Sequence, residues 1–142
     1  MPGAGPRPLS APTAEILAVA EKLAGFIAGG GRHLPDDLFA GDEVVIVENF
    51  APFIFRDVSH WAAMMRLHLA DLSGLTHSFG AAVDFSLERD TAYFSLPTTW
   101  SGFNAGVPFR ETGGWALVLL RSASGWRLKG YGWAVIETDP AA

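Results

Sequence analysis

Apolar residues recur every three or four positions in two segments of the chain, and this spacing predicts two amphipathic helices. The first begins after Thr13, whose hydroxyl can cap it, and ends in a run of glycines from Gly29. The second covers Val58 to Leu72, carries one apolar stripe and ends before a Ser-Gly pair. Between them, Pro35 to Asp42 is typical of a short helical turn and a loop. We therefore expect about three helices in the N-terminal half.

The remaining apolar positions predict strands. Val44 to Val47 is a continuous apolar run, which indicates a strand buried on both faces. From His77 onward the apolar spacing changes to two, as in strands with one buried face. Further strands are expected near 83–87, 92–100, 108–121 and 126–136. Short turns join them, so neighbours pair antiparallel, and helices packed on such a sheet make an α+β fold.

Length and composition fit one globular domain. The 142 residues are 49% hydrophobic and 18% charged, which suits a packed core and excludes a disordered chain. We expect a single domain at 13–137, with a Pro/Gly-rich tail at 1–12 and a short tail at 138–142. No apolar run reaches the roughly 20 residues of a membrane helix, so we expect no membrane partner.

The net charge and the cysteine content restrict which partners the protein can bind and which chemistry its side chains can perform. The net charge is −5 and no stripe of Lys or Arg is visible, which argues against a nucleic-acid partner. The absence of cysteine excludes disulfides, thiolate metal sites and cysteine nucleophiles, and it fits the cytoplasmic location that we expect. His60 and His68 are two helical turns apart rather than one, so we expect no metal site.

Three stretches resemble the SnoaL-like branch of the NTF2-like superfamily. They are the run L-P-T-T-W ending at Trp100, the block Arg110 to Leu120, and Gly125 to Trp133, and the order of predicted elements matches as well. The resemblance covers about Thr13 to Ile136. It implies a cone-shaped α+β fold, in which a curved antiparallel sheet wraps around about three N-terminal helices and leaves a pocket between them. It also implies a homodimer formed through the outer sheet face.

The same resemblance leaves the activity open, because the superfamily contains isomerases, cyclases, dehydratases, epoxide hydrolases and non-catalytic binding proteins. The position of the ketosteroid isomerase base matches Asn49, which cannot accept a proton, although Glu48 beside it could substitute. The first helix has no tyrosine for the oxyanion site, and the matching acid position falls near Trp115 or Ala116. The isomerase catalytic residues are therefore not matched.

Two other patterns of the superfamily are also incomplete in this sequence. The dehydratase pattern could use His77 and His68, but it also needs tyrosines, which are scarce here. The epoxide hydrolase pattern could use Arg110, with Asp84 as the only plausible aspartate. The polar candidates for catalysis are thus Glu48, His77 and Arg110.

Glu48 is the candidate whose pKa burial could raise toward neutral pH. If the nearby phenylalanines enclosed it, desolvation would raise its pKa and make it a usable acid or base. The alternative is a solvated strand end. Neighbours in a strand point to opposite faces, so Glu48 and Asn49 can share a pocket only if the chain bends there.

Large apolar side chains are the expected pocket wall, although core packing or a dimer face explains them equally. The expected ligand-binding residues are Asn49, Phe53, Phe55, Trp61, Met65, His68, Trp100, Trp115, Tyr131 and Trp133. Tyr131 and Trp133 share one face of the last predicted strand, whereas Leu128 and several small residues occupy the other.

Three hypotheses follow. The first is a protein that binds a small hydrophobic molecule in an aromatic pocket and, if it is an enzyme, performs acid–base chemistry of the isomerase, lyase or hydrolase kind without a cofactor. The second is a non-catalytic, dimeric interaction module. The third is an isomerase with a relocated base.

Overall fold

The computed structural model describes residues 11–139, which form two helices and one seven-stranded sheet. The helices are α1 (Ala14–Ala28) and α2 (Val58–His68). The strands are β1 (Glu43–Val47), β2 (Ile54–Asp57), β3 (Leu72–Phe79), β4 (Val83–Glu88), β5 (Thr91–Asn104), β6 (Val107–Ser122) and β7 (Gly125–Asp139). The sheet order is β2-β1-β7-β6-β5-β3, with β4 also paired to β5. β1 runs parallel to β7, and the other named strand pairs are antiparallel.

Both predicted amphipathic helices are confirmed, and local side-chain caps start them. The Thr13 hydroxyl accepts a hydrogen bond from the backbone N–H of Ile16 at 3.4 Å, and the Asp57 carboxylate accepts one from His60 at 2.8 Å. Helix α2 ends at His68, four residues earlier than predicted, because the chain from Leu72 joins the sheet as β3.

The expectation of about three helices is wrong for the described residues. The segment 35–42 forms turns, and its backbone bonds go to the sheet instead of to a helix. The Leu128 N–H donates to the Leu38 carbonyl at 2.7 Å, and Ala40 donates back to Leu128 at 2.9 Å. Phe39 pairs with Leu128 as an isolated bridge, which explains why this apolar turn is buried.

The prediction that β1 is buried on both faces is also wrong. Val44 and Ile46 are buried, whereas Val45 and Val47 are 63% and 48% exposed. β1 lies next to the edge strand β2, with one face on the core and the other on the outer surface of the sheet. The continuous apolar run therefore reflects an exposed apolar surface as well as the core.

A bulge in β7 sets which side chains point into the cone. Val118 pairs with Gly130 and Leu119 pairs with Leu128, so β7 contains one extra residue. Leu128 and Tyr131 are consequently both buried, although simple alternation predicted them on opposite faces. A Cβ on Gly130 would lie 2.0 Å from the Val45 carbonyl oxygen, so only glycine allows β1 to approach β7 this closely.

The core fills the space between the helices and the inner face of β5, β6 and β7. β7 continues to Asp139, two residues beyond the predicted end of the domain. Most of the predicted tails, at 1–10 and 140–142, lie outside the described residues. Within residues 11–139, neither helix combines the length and the apolar character that crossing a bilayer requires.

Candidate functional site

A cavity of about 410 Å³ lies between the inner face of the sheet and the ends of both helices. This volume is in the range of small-molecule sites, roughly 300–1,000 Å³. Ile27 comes from α1 and Met65 from α2, while β5, β6 and β7 contribute one tryptophan each. The tryptophans are Trp100, Trp115 and Trp133. The cavity therefore has an aromatic wall on the sheet and an aliphatic wall on the helices.

Glu48 follows the last residue of β1 and is the one ionisable side chain of the cavity that is deeply buried, at 5% exposure. Its Oε2 accepts a hydrogen bond from the Trp61 indole N–H at 3.0 Å. The same oxygen accepts a hydrogen bond from the Tyr131 hydroxyl. The two donors lie 3.1 Å apart, and both side chains are buried in the core. One carboxylate oxygen is thus fixed by two rigid aromatic side chains.

The other carboxylate oxygen, Oε1, accepts no hydrogen bond from the described residues. Within the same residues, no fully enclosed side-chain oxygen or nitrogen lacks a partner. Oε1 is therefore not fully enclosed, and Glu48 is among the residues that line the cavity. A ligand in the cavity has access to this oxygen.

Burial raises the pKa of both Glu48 and Tyr131. Desolvation raises the pKa of Glu48 to about 7, although the hydrogen bonds from Tyr131 and Trp61 partly oppose the rise. Burial, and then the nearby Glu48 charge, raise the pKa of Tyr131 well above its usual range. Tyr131 therefore remains a protonated hydrogen-bond donor, and Glu48 is the group that changes protonation near neutral pH.

A tight turn after β1 lets Glu48 and Asn49 both line the cavity. The Glu48 N–H donates to the Phe53 carbonyl at 2.9 Å, and the Phe53 N–H donates to the Phe50 carbonyl at 2.8 Å. Phe53 adopts a positive φ of 72° and its ring is 55% exposed. Glu48 continues the alternation of β1, because it is buried on the same face as Ile46. The turn therefore accounts for Asn49, which alternation alone would direct away from the cavity.

The rest of the cavity lining contains several polar side chains. They are Asn49, His68, Asp71, Asn104, Glu111 and Thr138. The His68 ring stacks on Phe50, with ring centroids 4.1 Å apart, and this partial burial lowers the pKa of His68 although the residue stays exposed in part. Burial raises the pKa of Glu111. The lining thus combines apolar surface with hydrogen-bonding groups.

Comparison with solved structures identifies this architecture. No family model and no curated relative matches the chain. The structure superposes on an NTF2-like superfamily protein from Salmonella enterica with a TM-score of 0.74 and 15% identity, over 87% of this chain and 89% of that chain. This chain has the NTF2-like fold. The NTF2-like α+β fold predicted from the resemblance is therefore confirmed. The number of helices differs, and the sheet is mixed rather than antiparallel throughout, because β1 pairs with β7 in parallel.

Two further solved structures superpose on most of this chain. The Kfla4162 protein of Kribbella flavida superposes with a TM-score of 0.74 and 19% identity, over 89% of this chain and 91% of that one. A hexachlorocyclohexane dehydrochlorinase also gives a TM-score of 0.74, at 10% identity over 91% of this chain and 88% of that one. At such identities the likeness extends to the NTF2-like fold and not to an activity.

The NTF2-like fold brings most of the predicted site residues together. Seven of them line the cavity: Glu48, Asn49, Met65, His68, Trp100, Trp115 and Trp133. Trp61 and Tyr131 do not line it, but they hold the Glu48 carboxylate. Among residues 11–139, no group of three or more His, Asp or Glu side chains is placed to hold a metal ion.

Four predicted residues lie away from the cavity. Phe55 is buried in the core, and Phe53 is on the exposed turn. His77 lies 3.3 Å from the Glu21 carboxylate on α1. Arg110 is exposed on the face of β6 that points away from the cavity, opposite to its neighbour Glu111.

Glu111 is a cavity residue that was not among the predicted site residues. Positions 111 and 115 are four apart on β6, and they therefore share a face of the strand. The alternation that placed Trp115 in the pocket also placed Glu111 there and turned Arg110 outward. Asp71 and Asn104 carried no comparable signal, since they lie at or beyond the ends of α2 and β5.

Proposed function

We propose that this chain binds a small, largely apolar molecule in the cavity and that Glu48 transfers a proton to or from it. The observation that supports this most is Glu48 itself, a buried carboxyl that lines the aromatic cavity and whose pKa burial raises to about 7. A group with such a pKa is present in both its acidic and its basic form at neutral pH, which suits general acid–base catalysis.

The contacts of Glu48 define a role for each oxygen. Trp61 and Tyr131 hold Oε2, so they act as positioning residues, and Oε1 is the atom that exchanges the proton. When Oε1 takes a proton from a ligand carbon, the bonding electron pair stays on the ligand. Return of the proton to another ligand atom gives an isomerisation, and loss of a leaving group gives an elimination. Neither outcome requires a redox cofactor.

A thermal-shift screen followed by a turnover assay tests this proposal. Steroids, polyketide-like compounds and terpenoids are screened, because a ligand that binds only the folded state raises the melting temperature. Compounds that raise it are incubated with the protein, and products are followed by mass spectrometry. We expect Glu48→Gln to lower turnover by about 100-fold or more, with binding retained.

Glu88→Gln is the matched control, because Glu88 is exposed at the β4 end and does not line the cavity. Turnover that survives in Glu48→Gln contradicts the role of Glu48. The absence of a shift with every compound class contradicts the proposed binding function.

The exposed apolar surface favours a second candidate function, a dimeric interaction module. Val45, Val47 and Ile136 are exposed, Ile136 at 80%. Next to Ile136, a shallow groove runs over small residues of the outer sheet face: Gly114, Ala116, Gly132 and Ala134. We infer that a second copy of the chain covers this face, because contiguous apolar surface is a feature of protein interfaces.

Sedimentation velocity tests the homodimer. Ile136→Glu is expected to convert the dimer to a monomer, whereas Leu67→Glu, on the equally exposed surface of α2, is expected to leave it intact. A monomeric wild-type protein, or a dimer that persists in Ile136→Glu, contradicts the outer face as the interface. The cytoplasmic location stays a prediction from the sequence.

A further inference from the structure

The charges around the cavity are all of one sign. Three carboxyl side chains line it, Glu48, Asp71 and Glu111, and the lining contains no lysine or arginine. His68 is the one basic side chain of the lining, and its lowered pKa favours the neutral form at physiological pH. An anionic ligand would therefore meet like charges and no counter-ion, which disfavours carboxylates and phosphates.

Glu111 is the half-buried carboxyl of the lining, whereas Asp71 is exposed and Glu48 is held by its two aromatic donors. Glu111 pairs across the sheet with Trp100 on β5 and with Thr138 on β7, and all three residues line the cavity. It is half-buried, and among the described residues it takes part in no ion pair and no side-chain hydrogen bond that would offset its desolvation. A partly desolvated carboxylate gains most from a cation that arrives with the ligand.

The wall beside Glu111 consists of tryptophan rings in contact with one another. Trp100 and Trp115 have centroids 6.5 Å apart with planes at 67°, and Trp115 and Trp133 are 5.9 Å apart at 64°. Rings at steep angles present both faces and edges to the space between them. The face of a tryptophan attracts an ammonium group through its quadrupole, and its area covers apolar carbon.

We propose that the cavity is selective for a lipophilic amine, whose ammonium group lies between Glu111 and the Trp100 ring and whose apolar body lies on Trp115 and Trp133. This inference rests on the binding function proposed above and adds the chemical class of the ligand. The Trp115 ring centroid lies 6.0 Å from that of Tyr131, which holds Glu48, so an amine whose apolar body lies on Trp115 extends toward Glu48. The acidic lining selects the amine, and Glu48 remains available for proton transfer.

Three probes separate the effect of charge from the effect of size: phenylbutylamine, phenylbutanol and phenylvalerate, which all carry a phenyl ring and four methylene groups. Their dissociation constants are measured by calorimetry with the full chain at about pH 8, where the amine and the acid are both ionised. We expect the amine to bind at least about ten-fold tighter than the alcohol, and the carboxylate to bind weakest. Equal binding of the amine and the alcohol, or tighter binding of the carboxylate, overturns the inference and leaves the binding function standing.

The variants Glu111→Gln and Glu88→Gln each remove one negative charge, and only the first changes the cavity. We expect Glu111→Gln to remove most of the preference for the amine and to leave the affinity for the alcohol unchanged. An amine preference that is the same in Glu111→Gln and in Glu88→Gln contradicts the role of Glu111. If none of the three probes binds, the inference is overturned and the binding function fails for ligands of this size.

Discussion

The Tyr131 hydroxyl on β7 donates a hydrogen bond to Oε2 of Glu48, across 83 residues of sequence. The parallel pairing of β1 with β7 creates this contact, because Val47 lies beside Gly132 and the residue after it reaches Tyr131. One carboxylate oxygen is thereby fixed to the core, while the other keeps access to the cavity. Because of this contact, the stability of the fold depends on the protonation state of Glu48.

Stability is predicted to fall as the pH rises between about 4.5 and about 7 because of Glu48. In this range the unfolded chain releases the Glu48 proton and the folded chain retains it, so the folded state binds more protons and loses stability with pH. The full effect is about 3 kcal/mol above pH 7, and it is absent below about pH 4.5. Denaturant unfolding of wild type and Glu48→Gln across this range measures it.

The effect of Glu48 is the difference in the free energy of unfolding between wild type and Glu48→Gln, because all other groups titrate in both proteins. We expect the free energy of unfolding of wild type to drop relative to Glu48→Gln as the pH rises, and Glu88→Gln to follow wild type. Parallel profiles of wild type and Glu48→Gln would show that Glu48 ionises with an ordinary pKa.

Tyr131→Phe is predicted to raise the pKa of Glu48 further, because the hydroxyl stabilises the ionised carboxylate. We also expect a loss of about 1–3 kcal/mol in the free energy of unfolding at pH 8, where the ionised Glu48 would keep only the Trp61 donor. The pH at which stability stops falling should move above its wild-type position.

Tyr93→Phe is the natural control for this change, because the chain has only two tyrosines. Among the described residues, the Tyr93 hydroxyl has one hydrogen-bond partner, the Ser95 hydroxyl at 3.5 Å, and it does not reach Glu48. The profile of Tyr93→Phe should match that of wild type. A Tyr131→Phe protein as stable as Tyr93→Phe, with an unchanged profile, would mean that the hydroxyl contributes nothing to Glu48.

Two glycines on β7 provide a matched test of the close approach of β1. A Cβ on Gly130 would meet the Val45 carbonyl oxygen at 2.0 Å, whereas a Cβ on Gly132 would meet only the Val47 Cβ, at 3.9 Å. Gly130→Ala is therefore predicted to cost about 2 kcal/mol or more in the free energy of unfolding, and Gly132→Ala to be tolerated. Equal melting temperatures for the two variants would contradict the geometry of the β1–β7 pairing.

The helices were predictable because their signals are local. Thr13 caps α1 as its position suggested, and the apolar spacing marks the buried face of each helix. The end of α2 was not predictable in this way, since Leu69 and Leu72 both continue the helical spacing. The pairing of Ser73 with Phe103 draws this segment into the sheet, and that contact is distant in sequence.

The side chains that face the cavity were predictable where buried and exposed residues alternate along a strand, and not where a bulge or a turn interrupts this alternation. Trp100 and Trp115 follow from period-two spacing, and the same spacing already contained Glu111. Tyr131 is buried together with Leu128 because of the β7 bulge, and a bulge leaves no local pattern in the sequence. Glu48 follows the alternation of β1, since Val44, Ile46 and Glu48 are all buried. Asn49 lines the cavity because of the turn after β1, and the strand pattern alone could not show that.

A pH titration of the glutamate side-chain carboxyl carbons by NMR is the most direct measurement of the central claim, that Glu48 is a buried carboxyl poised for proton transfer. We expect one glutamate to titrate with a midpoint of about 7, and this signal to be missing from Glu48→Gln. A Glu48 signal that titrates near its ordinary value of 4.5 would contradict the claim.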